Sequence, residues 1–138
     1  MTKFYDAAYR KATKSVVAAQ MLIAAATTLF TAHGDVEVVI FGKISVAVTA
    51  AAGALTLEVG IAGNTAALIA QTAKANLLAD KMWAGTPAAN PQAMPSRFLL
   101  ASGQSIILTT GTTNADGGAI DFTALWKPIS TNGALVAA

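Results

Sequence analysis

The chain of 138 residues has no cysteine. That removes a disulfide framework, a thiol nucleophile and a thiolate metal centre together. It has one histidine, His33. Without a second imidazole or a thiolate, this residue cannot assemble the usual three- or four-ligand zinc site. It stands in "HGD", where a surface turn explains it better than general acid-base catalysis, which depends on placed partners. Charge is scarce as well, at 12% of residues, roughly half the usual fraction of a globular domain. The net charge is +2, and no basic stripe runs along the body, which argues against direct binding of nucleic acid.

The acids are Asp6, Asp35, Glu37, Glu58, Asp80, Asp116 and Asp121. They are scattered over turns and wet strand faces, so ordinary solvation accounts for them better than a carboxylate pair working as acid and base. "NADGG" (114–118) lacks the oxygen ligands and closing glutamate of a calcium loop. "GIAGNTAA" (60–67) has neither the Gly-Lys-Ser/Thr ending nor the third glycine of the nucleotide-binding loops. No serine stands in a Gly-x-Ser-x-Gly elbow. The expectation is a protein that is not an enzyme and holds no cofactor or metal.

Alternation is what the sequence does contain. In "DVEVVIFGKISVAVTA", Val36, Val38 and Ile40 share one face, with Asp35, Glu37 and Val39 on the other. Beyond Gly42 the apolar row reads Ile44, Val46, Val48, which suggests a bulge or bend at the glycine. "GALTLEVGIAG" places Leu55, Leu57, Val59 and Ile61 against Thr56, Glu58 and Gly60, the pattern of a half-buried strand. Residues 64–83 are ambiguous: "ALIAQT" suits a strand, and the alanine, leucine and lysine content predicts a short helix near 74–81. "AGTPAANPQAMPS" is a surface loop with three prolines. "RFLLASGQSIILTTGTT" reads as two strands joined in a hairpin at Ser102-Gly103. "AIDFTALW" puts Ile120, Phe122 and Trp126 on the core face, and Pro128 ends that strand because it cannot donate to a ladder. "TNG" then turns the chain so that "ALVAA" can lie along a neighbouring strand or subunit. Short strands separated by turns predict an all-β domain, an antiparallel β-sandwich of jelly-roll type with at most a short helix.

The first fourteen residues differ in kind. Lys3, Arg10, Lys11 and Lys14 alternate with Phe4, Tyr5 and Tyr9. This reads as an arm, residues 1–14, leading into a sandwich domain over 15–138. If so, deleting the arm leaves the β signal in circular dichroism intact. Aromatic and arginine side chains anchor interfaces, so Phe4, Tyr5, Tyr9, Arg10, Lys11 and Lys14 are candidate contacts, together with Trp83 and Trp126. Residues 15–32 carry no charge and follow a basic stretch, so an export signal or membrane span is the rival reading. Gln20, Thr27-Thr28 and the many alanines favour strands over a span.

Three stretches, "LTLEVGIAGNTAALIAQT", the "MW" at 82–83 and the closing "LWKPISTNGALVAA", resemble small structural proteins from the virion gene clusters of tailed bacteriophages. The resemblance covers roughly residues 27–138. It implies a sandwich or jelly-roll virion component that decorates or cements the head at the capsid surface. Its partner would be the major capsid protein, and its own state a homo-oligomer, with a trimer favoured. A tail, fibre or baseplate component is the alternative, because the same folds serve there.

Overall fold

In the computed structural model the structure describes residues 8–51 and 53–138. The alternating segments become ten strands: β1 (Arg10–Val17), β2 (Thr27–His33), β3 (Val36–Thr49), β4 (Thr56–Ile61), β5 (Asn64–Ala73), β6 (Met82–Trp83), β7 (Phe98–Leu100), β8 (Ser105–Gly111), β9 (Gly117–Pro128) and β10 (Ala134–Ala137). The helical residues are two 3₁₀ turns, Ala18–Gln20 and Lys74–Asn76. No helix among the described residues is long and apolar enough to cross a membrane.

The pairing is antiparallel throughout, and its order identifies the topology. One sheet runs β1-β9-β3-β6, with β7 also on β3; the other runs β10-β2-β8-β4-β5. Early and late strands pair from the outside inward: β1 with β9, β2 with β8, β3 with β6 and β7, β4 with β5. A long antiparallel hairpin rolled over once then adds β3 to β9 and β4 to β8. That is the jelly roll, in which strands alternate between two packed sheets. β10 extends the second sheet at β2, with Ala134 opposite His33 and Ala137 opposite Phe30.

The inward residues follow the alternation. Val36, Val38, Ile40, Leu55, Leu57, Val59, Ile120, Phe122 and Ala124 belong to one buried cluster with Leu29, Phe30, Ile106 and Leu108. Trp83 is fully buried, 6.0 Å from Phe122 between ring centroids. Its Nε1 donates to Thr72 Oγ1 at 3.0 Å, so one buried polar pair ties β6 of the first sheet to β5 of the second. Thr72 in turn donates to the Ala70 carbonyl at 2.9 Å, which leaves neither group unsatisfied.

Four sequence expectations need correction. First, β1 begins at Arg10 and pairs with β9 from Arg10↔Trp126 to Val17↔Ala119. Residues 10–14 are therefore sheet, not arm; the arm residues Phe4 and Tyr5 lie outside the described residues. Second, Gly42 is in register, opposite Phe122, and the shifts fall later, between Ile44 and Thr49. Gly42 answers to packing instead: a Cβ there would lie 2.9 Å from Ile120 Cγ2 and 3.3 Å from a Phe122 ring carbon. Because of the later bulge, Val46 is exposed while Ile44 and Val48 are buried.

Third, the helix over 74–81 does not form beyond Lys74–Asn76. Backbone groups of Leu77, Asp80 and Lys81 are taken by β3: Val48 N to Leu77 O, Asp80 N to Ile44 O, and Ile44 N to Lys81 O. What is left closes only single turns, Leu77 N to Lys74 O and Lys81 N to Leu78 O, and long-range pairing overrides local propensity. Fourth, the turn at Ser102-Gly103 exists, with Gly103 at φ +85°, but its flanking strands do not form a hairpin. β7 pairs with β3 in the first sheet and β8 with β2 and β4 in the second, so this turn carries the chain across the sandwich.

Two outcomes follow from this packing. Gly42→Ala is expected to lower stability by about 1–3 kcal/mol, the usual range for overfilling a packed core, read as a lower urea midpoint at unchanged slope. Removing residues 1–14 cuts into β1 and is expected to cost more than about 2 kcal/mol, the scale of uncovering a large buried side chain.

Candidate contact face

The antiparallel register builds rows across the outer surface of the first sheet. Lys127 lies opposite Glu37, and Glu37 opposite Leu99. In the next outward row Lys11 faces Leu125, and Leu125 faces Val39. Further along, Ser15 and Lys43 flank Asp121, and the Ser15 hydroxyl donates to Asp121 Oδ1 at 2.7 Å.

The Glu37 row is the most charged. Tyr9, one residue before β1, donates its hydroxyl to Glu37 Oε2 at 3.0 Å. Lys127 Nζ is 3.3 Å from the same oxygen, and Arg97 Nη1 is 3.5 Å from Oε1. The ammonium of Lys127 also lies 5.0 Å from the Tyr9 ring centroid, within cation–π range. The Glu37 side chain is 12% exposed and that of Arg97 is 67% exposed. Burial of the carboxylate, which alone would raise its pKa, is outweighed by the hydrogen bonds from Tyr9 and Lys127 and by the charges of Lys127 and Arg97. Glu37 therefore titrates below its ordinary value. One carboxylate serves two cations, and Lys11 stands on the same outer face of β1, so this end of the face has surplus positive charge, whereas Arg10, opposite Trp126, belongs to the inward side.

Of the expected contact residues, the structure brings Tyr9 and Lys11 to this outer face, while Arg10 turns inward over Trp126. It places the others elsewhere. Trp83 is a core ring with no exposure. Trp126 is 7% exposed, and the Arg10 guanidinium covers it at 5.3 Å from the ring centroid. Neither tryptophan is presented to a partner. Lys14 lies at the sandwich edge, where its Nζ donates to the Ala138 main-chain oxygen at 2.7 Å. It clasps β1 to the end of the second sheet. Sequence reasoning missed Glu37 as a hub, and with it Arg97, Lys127, Leu99 and Ile129. Its alternation put Glu37 on a wet face, but which cations stand opposite depends on register.

Three further carboxylates hold the fold. Asp35 Oδ1 accepts from Ser102 N at 3.0 Å, Asp116 from the Thr49 hydroxyl at 2.6 Å, and Glu58 from the Thr65 hydroxyl at 3.2 Å. His33 is exposed at the end of β2. Among the described residues no group of three or more His, Asp or Glu side chains is placed to hold a metal ion.

No family model matches the chain, and no curated protein matches it. A solved structure described as "Cyanophage Pam1 capsid asymmetric unit" contains a similar chain, at 14% sequence identity and a TM-score of 0.42. The likeness covers 87% of this chain and 84% of that one.

The Glu37 cluster has a pH signature. Its stabilisation is complete above the carboxylate's unfolded pKa, near 4.5, and is lost as pH falls through the lower folded value. Glu37→Gln is expected to cost up to about 1 kcal/mol at neutral pH, as for a largely surface ion pair. The gap to the parent protein should narrow and close as pH falls through the lowered folded value, as measured by urea unfolding across the acid range.

Proposed function

We propose that the protein is a non-enzymatic structural component of a phage virion, and within that class a decoration or cement protein of the head. It would bind the major capsid protein at the shell surface as a homo-oligomer, with a trimer favoured. The observation that carries this reading is the outer face of the first sheet. There a surplus of cations and a strongly exposed Leu99 stand on a rigid, charge-poor jelly roll, features suited to protein contact rather than to chemistry. The resemblance of residues 27–138 to virion proteins supports it. The closing "LWKPISTNGALVAA" forms the end of β9, a turn and β10, so the stretch that carries the resemblance is an integral part of both sheets.

Binding would draw on apolar area removed from water, at about 25 cal/mol per Å² before ordering costs. The cations would steer approach to an acidic shell surface. The test mixes purified protein with undecorated shells of the phage that encodes it and measures co-sedimentation. Saturable binding that protects shells against heat or denaturant is the expected result. Protein that never binds shells overturns the reading, and labelled protein that binds host cells but leaves shells untouched moves it to the tail, fibre or baseplate alternative.

A further inference from the structure

The first sheet carries two complementary features along one edge, at opposite ends of β3. At one end β7 pairs with Val36–Val38. There Asp35, Val36, Leu99, Leu100, Ala101 and Ile129 line a notch of about 220 Å³, several times the ~30 Å³ share of a water molecule. Its floor, Val36 and Leu100, is continuous with the core, while Leu99 is 70% and Ile129 57% exposed. The walls are braced by Ile129 N donating to Asp35 O at 2.8 Å and by Ser102 N donating to the Asp35 carboxylate. Beside the notch stand Arg97 and Lys127, which share the single carboxylate of Glu37.

At the other end, residues 77–81 are bonded to β3 at Ile44 and Val48. The turn there exposes Leu78 by 51% and Asp80 two residues later. Asp35, Glu37, Glu58, Asp116 and Asp121 each accept a hydrogen bond on the carboxylate. The Asp80 carboxylate accepts none among the described residues. Val36 and Ile44 are eight positions apart on β3, roughly 26 Å at about 3.3 Å per residue. One molecule therefore cannot satisfy its own notch with its own turn.

We infer that these features meet between copies: Leu78 of one molecule seats between Leu99 and Ile129 of the next, and its Asp80 pairs with Arg97 and Lys127. An exposed aliphatic group beside a carboxylate is the chemistry that the notch and its cations fit, since a phosphate backbone would leave Leu99 and Ile129 unburied. The contact is heterologous, joining two different patches, so repetition closes a ring or continues as a filament. The inference rests on the reading above only for the expectation of a homo-oligomer.

Sedimentation velocity on the full chain tests it through a charge swap at exposed positions. Asp80→Arg and Arg97→Glu should each weaken self-association by at least about tenfold, within the range of coupling measured for close interfacial charge pairs. The double variant should regain it. A parent protein that stays monomeric, single variants that assemble like the parent, or a double variant that fails to recover would overturn the inference. Circular dichroism checks that each variant folds. A second pair keeps the test open if one does not: Ile129→Asp (dead notch) mixed with Leu78→Asp (dead turn) should stop at a 1:1 heterodimer. No heterodimer, or higher oligomers from the mixture, would also overturn it. Shell binding is scored separately. Monomers that bind shells would sink the self-contact alone, and swap-sensitive oligomers that ignore shells would sink the virion role alone.

Discussion

The ladder between β3 and β9 is the constraint on which the rest of the molecule depends. It runs from Val36↔Pro128 to Thr49↔Gly117 and joins two of the longest strands at the centre of the first sheet. Its inward residues, among them Val38, Ile40, Ile44, Ile120, Phe122 and Ala124, supply much of the core. Its outward residues set which charges meet, because Lys127 reaches Glu37 through this register. A slip of one residue would exchange the two faces, exposing Phe122 and burying Lys127. Gly42 protects the ladder where Ile120 and Phe122 occupy the space a side chain would need.

With so few charges, the protein uses several of them locally. Lys14 ties an edge strand to the end of β10, Arg10 shields Trp126, and Lys74 donates to the Ala50 carbonyl at 3.1 Å. These are small contributions singly, but they sit at sheet edges, where packing is thinnest. The cations of β1 also blunt an edge that would otherwise be open to strand addition. What is left unmatched is positive near Glu37 and negative at Asp80, an imbalance that a second molecule can cancel and this one cannot.

The buried bond from Trp83 to Thr72 shows how the two layers are locked in register as well as packed. Apolar contact alone tolerates sliding and repacking. A donor and an acceptor that are both buried do not, since separation leaves each unsatisfied. The loop between β6 and β7 is thereby anchored at its start, and Arg97 at its far end returns the chain to the Glu37 row.

Much of the fold was legible in the sequence. The alternation in "ALTLEVGI" and "AIDFTALW" marked β4 and β9 with the correct buried faces, the Lys-Pro marked the end of β9, and "ALVAA", which could lie along a neighbouring strand or subunit, lies along β2 of its own chain. The misreadings share one cause. Segment 74–81 carries helix-forming residues, but its backbone bonds are claimed by β3, and "ASGQ" carries a turn that nevertheless passes between sheets. Trp83 and Trp126 look like interface anchors by type and are buried by position. Side-chain period is a local property of the chain, and it determined the strands and their wet and dry faces. Partner strand, register and the distribution of charge over a face arise from residues far apart in the chain, such as Arg10 and Trp126. Those were decided by the tertiary structure, because only simultaneous burial of all the apolar faces selects one pairing among many that the local pattern allows.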